Sequence, residues 1–175
     1  NIPSPYRVAF FNELGRYCDL TVLFEKKTDN SRDIDWRHED FRNFKAIFLP
    51  GWGYAYADAF CPSICRYLKK GRYDVIVIGI YHSLTGMTAI DYLRHHHIHF
   101  ILNSDGGQIK DDSEIKKKIK THYISSASAW LSTGKMCDDY LIHYGAKMEK
   151  IYRYPFSSVR EEKILKAPVT DTEKG

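Results

Sequence analysis

Asp74-Val-Ile-Val-Ile78 is the stretch on which the fold turns. Four β-branched residues in a row, with Gly79 behind them, read as a short strand. An unbroken apolar run, as opposed to an alternating one, predicts a parallel strand buried on both faces. Leu20–Phe24, Lys45–Leu49 and His99–Leu102 are runs of similar length, Ile151–Arg153 is a fifth and Ala129–Leu131 a candidate sixth. Helical patterns lie between them. Ser4-Pro5 is a start signal, an N-cap with proline in the first turn, after which Tyr6, Phe10, Leu14 and Tyr17 share a face. A second helix spans Cys61–Lys70 with Ile64 and Leu68 on one side, and a third Thr85–His96 with Gly86, Ile90 and Leu93. Ser113 is placed to cap a basic helix with Ile115 and Ile119 beneath its lysines. Lys135–Tyr144 is the last, with Cys137, Leu141 and Tyr144 inward and Gly145 as its C-terminal cap. Strands alternating with helices predict an α/β domain, a Rossmann-like open parallel sheet with helices on both faces.

The chain is 175 residues long, 43% hydrophobic and 14% aromatic, enough for one domain with a sizeable core and against general disorder. Twenty-six Lys and Arg face 22 Asp and Glu, a net +4 that mildly favours anionic partners. No apolar run approaches the ~20 residues of a spanning helix, and no charged-then-apolar leader opens the chain. Cys18, Cys61, Cys65 and Cys137 form no CxxC pair, which fits free thiols in a reducing cytosol. The expectation is a cytoplasmic protein. Its opening at Asn1 without a methionine suggests a piece of something longer. Composition turns polar after Tyr154-Pro-Phe156, so residues 1–155 are expected to form the domain and 156–175 a linker.

In open parallel sheets, ligands bind in the crevice beyond the carboxyl ends of the strands. The loops to inspect are therefore Pro50–Gly53, Gly79–Ser83 and Asn103–Gly107. Gly51-Trp-Gly53 lacks the third glycine of a dinucleotide fingerprint, since that position is Tyr56, and a plain turn is the better reading. His95-His-His97 with His99 reads as a solvated helix end favoured by the dipole rather than as a metal site. Cys61 and Cys65, at i and i+4, read as core thiols, since two thiols make no zinc site. Lys116-Lys-Lys118 and Lys120 are either a solvated face or a weak contact for an anionic membrane surface. The absence of interleaved aromatics there argues against nucleic acid.

Two places carry sharper chemistry. Ser4, Tyr6 and Arg7 lie at a helix N-terminus, where backbone N–H groups and a cation suit phosphate or carboxylate, although an ordinary capped helix has the same sequence. Ser104-Asp-Gly-Gly107 sets a carboxylate and two glycines just past a strand. Asp105 there is able to orient a hydroxyl or take a proton, with Gly106 and Gly107 letting a ligand approach the backbone; a simple Asp-Gly turn is the alternative.

Taken together, Ile2-Pro-Ser-Pro-Tyr-Arg-Val-Ala-Phe-Phe-Asn-Glu-Leu14, Cys18–Glu25, Tyr73–Gly79, Ser104–Gly107, Tyr144-Gly-Ala146 and Tyr152–Ser158 resemble the N-terminal half of family 4 glycosyltransferases of bacterial polysaccharide assembly. The resemblance implies the GT-B architecture, two Rossmann-like domains across a cleft. It implies retaining transfer from a nucleotide-sugar to a glycan or lipid-linked acceptor in capsule, O-antigen or related polysaccharide synthesis, with no metal ion and no cofactor. The acceptor-side half is the one matched. The donor half, with its closely spaced pair of glutamates, is expected outside this chain, which would be inactive without it.

Carried over residue by residue, the resemblance places Ser4, Tyr6 and Arg7 near the donor phosphates. It places His82, Ser83, Thr85, Gly106 and Gly107 at the acceptor, and Asp105 about where many relatives have a catalytic histidine. Relatives also begin with an apolar strand before the Ile-Pro-Ser-Pro loop. That strand is expected between Leu20–Phe24 and Asp74–Ile78. The rival reading is a stand-alone Rossmann-like module that binds a sugar or phosphate ligand without catalysis. A nicotinamide oxidoreductase is a third, disfavoured by the failed glycine pattern.

Overall fold

The computed structural model describes residues 2–27, 40–53, 59–69 and 71–154, so the expected linker 156–175 lies outside the described residues, as does Tyr56. The architecture is mixed α/β. In chain order the elements are α1 (Pro5–Leu14), β1 (Thr21–Phe24), β2 (Lys45–Phe48), β3 (Trp52–Gly53), β4 (Ala59–Phe60), α2 (Ile64–Tyr67), β5 (Val77–Ile78), α3 (Leu84–His95), β6 (Ile101–Ser104), α4 (Glu114–Ile124), β7 (Ala129–Ser132), α5 (Lys135–His143) and β8 (Ile151–Arg153), with a 3-10 turn at Met148–Lys150. The strands β5-β6-β7-β8 form a four-stranded sheet in that order, parallel throughout. A separate parallel pair joins β1 to β2, and β3 and β4 make a small antiparallel pair that the sequence reading did not contain.

Among the described residues β1 pairs with β2 alone and β5 with β6 alone, so the expected single sheet is divided between them. This corrects the reading of Asp74–Ile78. Only Val77–Ile78 is strand, and it is buried on one face. Ile76 and Ile78 enter the core, whereas Val75 is 64% and Val77 49% exposed. A continuous β-branched run is buried on both faces only when something covers the second face.

The main core gathers Ile78 of β5, Leu102 of β6, Trp130 of β7, Ile90 and Leu93 of α3 and Leu141 of α5. Trp130 is fully buried and donates its indole N–H to the Ile124 carbonyl at 2.8 Å, so its polar atom costs nothing there. A second cluster is built on Val8, Phe24 and Phe44, with Phe24 stacked on Phe48 at 5.5 Å.

The inward face of α1 is not Tyr6, Phe10, Leu14 and Tyr17. Tyr6, Leu14 and Tyr17 are exposed, and Val8 and Asn12 are buried instead. The cause is polar. Asn12 Oδ1 accepts from the backbone N–H groups of Arg42 (2.8 Å) and Asn43 (3.1 Å), and its Nδ2 donates to the Asp40 carbonyl at 2.7 Å. Those bonds satisfy the backbone leading into β2 and rotate α1 accordingly. Helix α2 is also shorter than expected. Cys61 precedes it, with its N–H given to Thr85 Oγ1 at 2.9 Å, so Cys61 and Cys65 do not share a helical face. Helices α3 and α5 lie within a residue of expectation, and Gly145 takes φ +94° directly behind α5.

The segment between β6 and α4 is anchored by Asp112, which accepts from Lys120 Nζ at 2.6 Å and from the Tyr144 hydroxyl. Lys120 also lies over the Tyr144 ring, 4.9 Å from its centroid. Lys120 first, then Tyr144, hold the Asp112 carboxyl below its usual range. A carboxylate depressed in the folded state contributes stability that is complete above its unfolded pKa and is lost as pH falls through the folded one. The melting temperature should therefore hold at neutral pH and drop below about pH 4, and Asp112→Asn should flatten that acid limb. Parallel acid limbs for the two proteins would remove Asp112 as its cause.

Candidate functional site

Strand β6 ends in Asn103 and Ser104, both buried, and hands the chain to Asp105 at the carboxyl edge of the sheet. The Asp105 side chain is 50% exposed and forms an ion pair with Arg7 of α1, 98 residues away in sequence. Asn103 Nδ2 donates to Asp105 Oδ1 at 3.1 Å, and the Tyr154 hydroxyl, just past β8, donates to Asn103 Oδ1 at 2.7 Å. Burial, and then the neighbouring Asp105 carboxylate, push the Tyr154 phenol above its ordinary value. The Phe10 ring lies 6.4 Å from that of Tyr154. One turn of α1, the end of β6 and the end of β8 thus converge on a half-exposed carboxylate held by a cation.

The two glycines behind Asp105 differ. Gly106 has φ +137°, a backbone state that side chains resist, and nothing crowds its missing Cβ. At Gly107 a Cβ would come within 2.6 Å of the Tyr140 ring, so this glycine lets the loop lie flat on a buried aromatic. Tyr140 is fixed in turn by a hydroxyl contact with Tyr81 and by packing edge-on against Tyr144 at 4.9 Å. The loop carrying Asp105 rests on that support.

Ser4 occupies the N-cap position of α1 and is buried, but its side chain makes no capping bond. Tyr6 is at the surface of the first turn. His82 is exposed. Ser83 and Thr85 are fully buried, with hydroxyls turned inward. Ser83 donates to Glu25 Oε1 at 2.8 Å and accepts the Gly86 N–H at 3.0 Å, which makes it the working N-cap of α3. Thr85 donates to the Ala59 carbonyl at 2.5 Å and accepts the Cys61 N–H. Neither hydroxyl is presented to a ligand, because both side chains are buried, each donating its proton and accepting a backbone N–H inside the fold.

Asn103 and Tyr154 lie in stretches that the sequence marks, but neither had a role assigned; Asn103 reaches Asp105 from two residues away, whereas only the chain path brings Tyr154 to Asn103. A buried acid outside this site had no role assigned either. Glu25 is buried directly after β1, where it accepts from Ser83 and from the Ala59 N–H at 3.0 Å. An acid next to an apolar strand end was its only signal.

A surface depression lined by Asn12, Glu13, Arg16, Arg42 and Asn43 lies toward the other end of α1 and includes none of the candidate residues. Among the described residues no group of three His, Cys, Asp or Glu is placed to hold a metal ion, and no helix is long and apolar enough to cross a membrane. Comparison with family models, with curated proteins and with solved structures gives no match.

Proposed function

We propose that this chain is the acceptor-side, Rossmann-like half of a retaining GT-B glycosyltransferase. It would act at the cytoplasmic side of polysaccharide assembly, moving a sugar from a nucleotide-sugar to a glycan or lipid-linked acceptor. The observation that supports the reading best is the Arg7–Asp105 pair. Two segments singled out separately meet beyond the carboxyl end of β6, where parallel sheets bind their ligands. In this reading Arg7 and the start of α1 help hold the departing diphosphate. Asp105, steadied by Asn103, sits toward the transferred sugar and the acceptor hydroxyl. Transfer passes through an oxocarbenium-like state, so the protein's task is to place the acceptor and to stabilise the leaving group. The donor half supplies the nucleotide site and most phosphate contacts. An apolar strand between β1 and β5 belongs to the same reading.

The test is transfer by the chain joined to the second α/β domain that this reading expects behind it. The joined protein is given labelled nucleotide-sugars and a membrane lipid extract, and the product anomer is read by NMR. Transfer with retention is the expected result. An inverted product overturns the reading. So does a reading frame without a second domain, combined with sugar-phosphate binding by this chain alone, which would make it a binding module.

A further inference from the structure

Helix α4 carries an apolar pair on the wrong side for a core. Ile115 is 72% and Ile119 45% exposed, while Ile124 is fully buried. At 100° per residue, Ile124 points about 180° away from Ile115 and about 140° from Ile119. The isoleucines therefore face straight outward, and the expectation that they pack beneath the lysines is reversed. Lys116 lies about 100° to one side of Ile115 and Lys118 about 60° to the other, so the pair is flanked by cations. Lys116 and Lys118 are exposed, as are Ile109 and Lys110 just before the helix; Lys117, exposed as well, lies about 160° from both isoleucines and off this face. The acids nearby are Asp111 and Glu114, both exposed, and Asp112, which is already paired with Lys120.

The geometry points to this face of α4 as a docking surface for an anionic lipid bilayer. Two branched apolar side chains entering the headgroup boundary, with lysines on either side reaching up to lipid phosphates, are the arrangement of a helix lying in the membrane interface. The flanking cations select an anionic surface over a neutral one. The inference stands on α4 and not on sugar transfer, so either can fail without the other.

Co-sedimentation with vesicles tests it, using phosphatidylcholine alone and phosphatidylcholine with phosphatidylglycerol, at low salt and at about 1 M salt. The chain should bind only the anionic vesicles, and only at low salt. Lys116→Gln/Lys118→Gln should weaken binding by roughly thirtyfold, and Ile115→Ser/Ile119→Ser by about tenfold. Neither variant should change the melting temperature, since every altered side chain is exposed, and Lys147→Gln/Lys150→Gln should bind as the parent does. Equal binding to neutral vesicles, no binding, or full binding by the isoleucine variant overturns the proposal. Dimerisation without vesicles that the isoleucine variant abolishes overturns it too, in favour of a second copy of the chain.

Discussion

Glu25→Ala is expected to lower the free energy of unfolding by about 3–5 kcal/mol, since it leaves two buried donors without an acceptor. Glu25 stands where three separate pieces of structure meet. It follows β1, its Oε1 accepts from Ser83 at the start of α3, and its Oε2 accepts the Ala59 N–H of β4. All three sites are buried. Truncation leaves the Ala59 N–H and the Ser83 proton without an acceptor in a dry place, each costing roughly 1–3 kcal/mol, and opens a small void besides. Glu25→Gln should recover little. An amide presents one acceptor oxygen and turns an NH2 group toward the second donor. Urea unfolding at unchanged slope measures both variants. A loss below about 1 kcal/mol for the alanine variant would mean that water reaches this junction and that Glu25 does not hold it.

Where the elements lie was largely legible, because strand and helix patterns are local. Ile151–Arg153 is found as expected, and the others are displaced by a few residues at most, apart from the shortened α2 and β5. Which way the elements face was less legible, and the failures share a cause. Periodicity says that a helix has an apolar side but not that this side is the buried one. In α1 the hydrogen bonds of Asn12 overrule the aromatic stripe, since an unsatisfied backbone beside β2 would cost more than exposing Tyr17. In α4 the isoleucine pair faces outward because Lys120, Tyr144 and Asp112 already occupy the inner side. The exposure of Val75 and Val77 depends on what neighbours β5, which no five-residue window contains.

The site shows the same division. Asp105 and Arg7 could each be singled out locally, one behind a strand and one at a helix start. Their meeting needed the chain path, with the first helix laid against the carboxyl end of β6. Ser83 and Thr85 also lie behind a strand, yet their small hydroxyls cap a helix and tie down a hairpin. Loop position alone does not tell a ligand contact from a cap.

On the transferase reading, Asp105→Ala in the joined protein is expected to cut kcat by a hundredfold or more, the usual size of a positioned proton-transfer or charge-stabilising group. Stability should fall by less than about 1 kcal/mol, because a half-exposed ion pair contributes little in water. That combination separates a catalytic role from a structural one. KM for the acceptor should move less than kcat, since the carboxylate is assigned to the transition state and not to uniform binding. Asp105→Asn keeps the shape and a partner for Asn103 but loses the charge, so it should resemble the alanine variant in kcat. Arg7→Gln adds the complementary reading. It should weaken donor binding as well as turnover, because the cation is assigned to the diphosphate in addition to Asp105. If Arg7 acted only by holding Asp105, the double variant would be no slower than Asp105→Ala alone. A further loss in the double variant would give Arg7 its own contact with the donor. Unchanged turnover in Asp105→Ala would remove this carboxylate from the reaction and, with it, the observation on which the transferase reading rests.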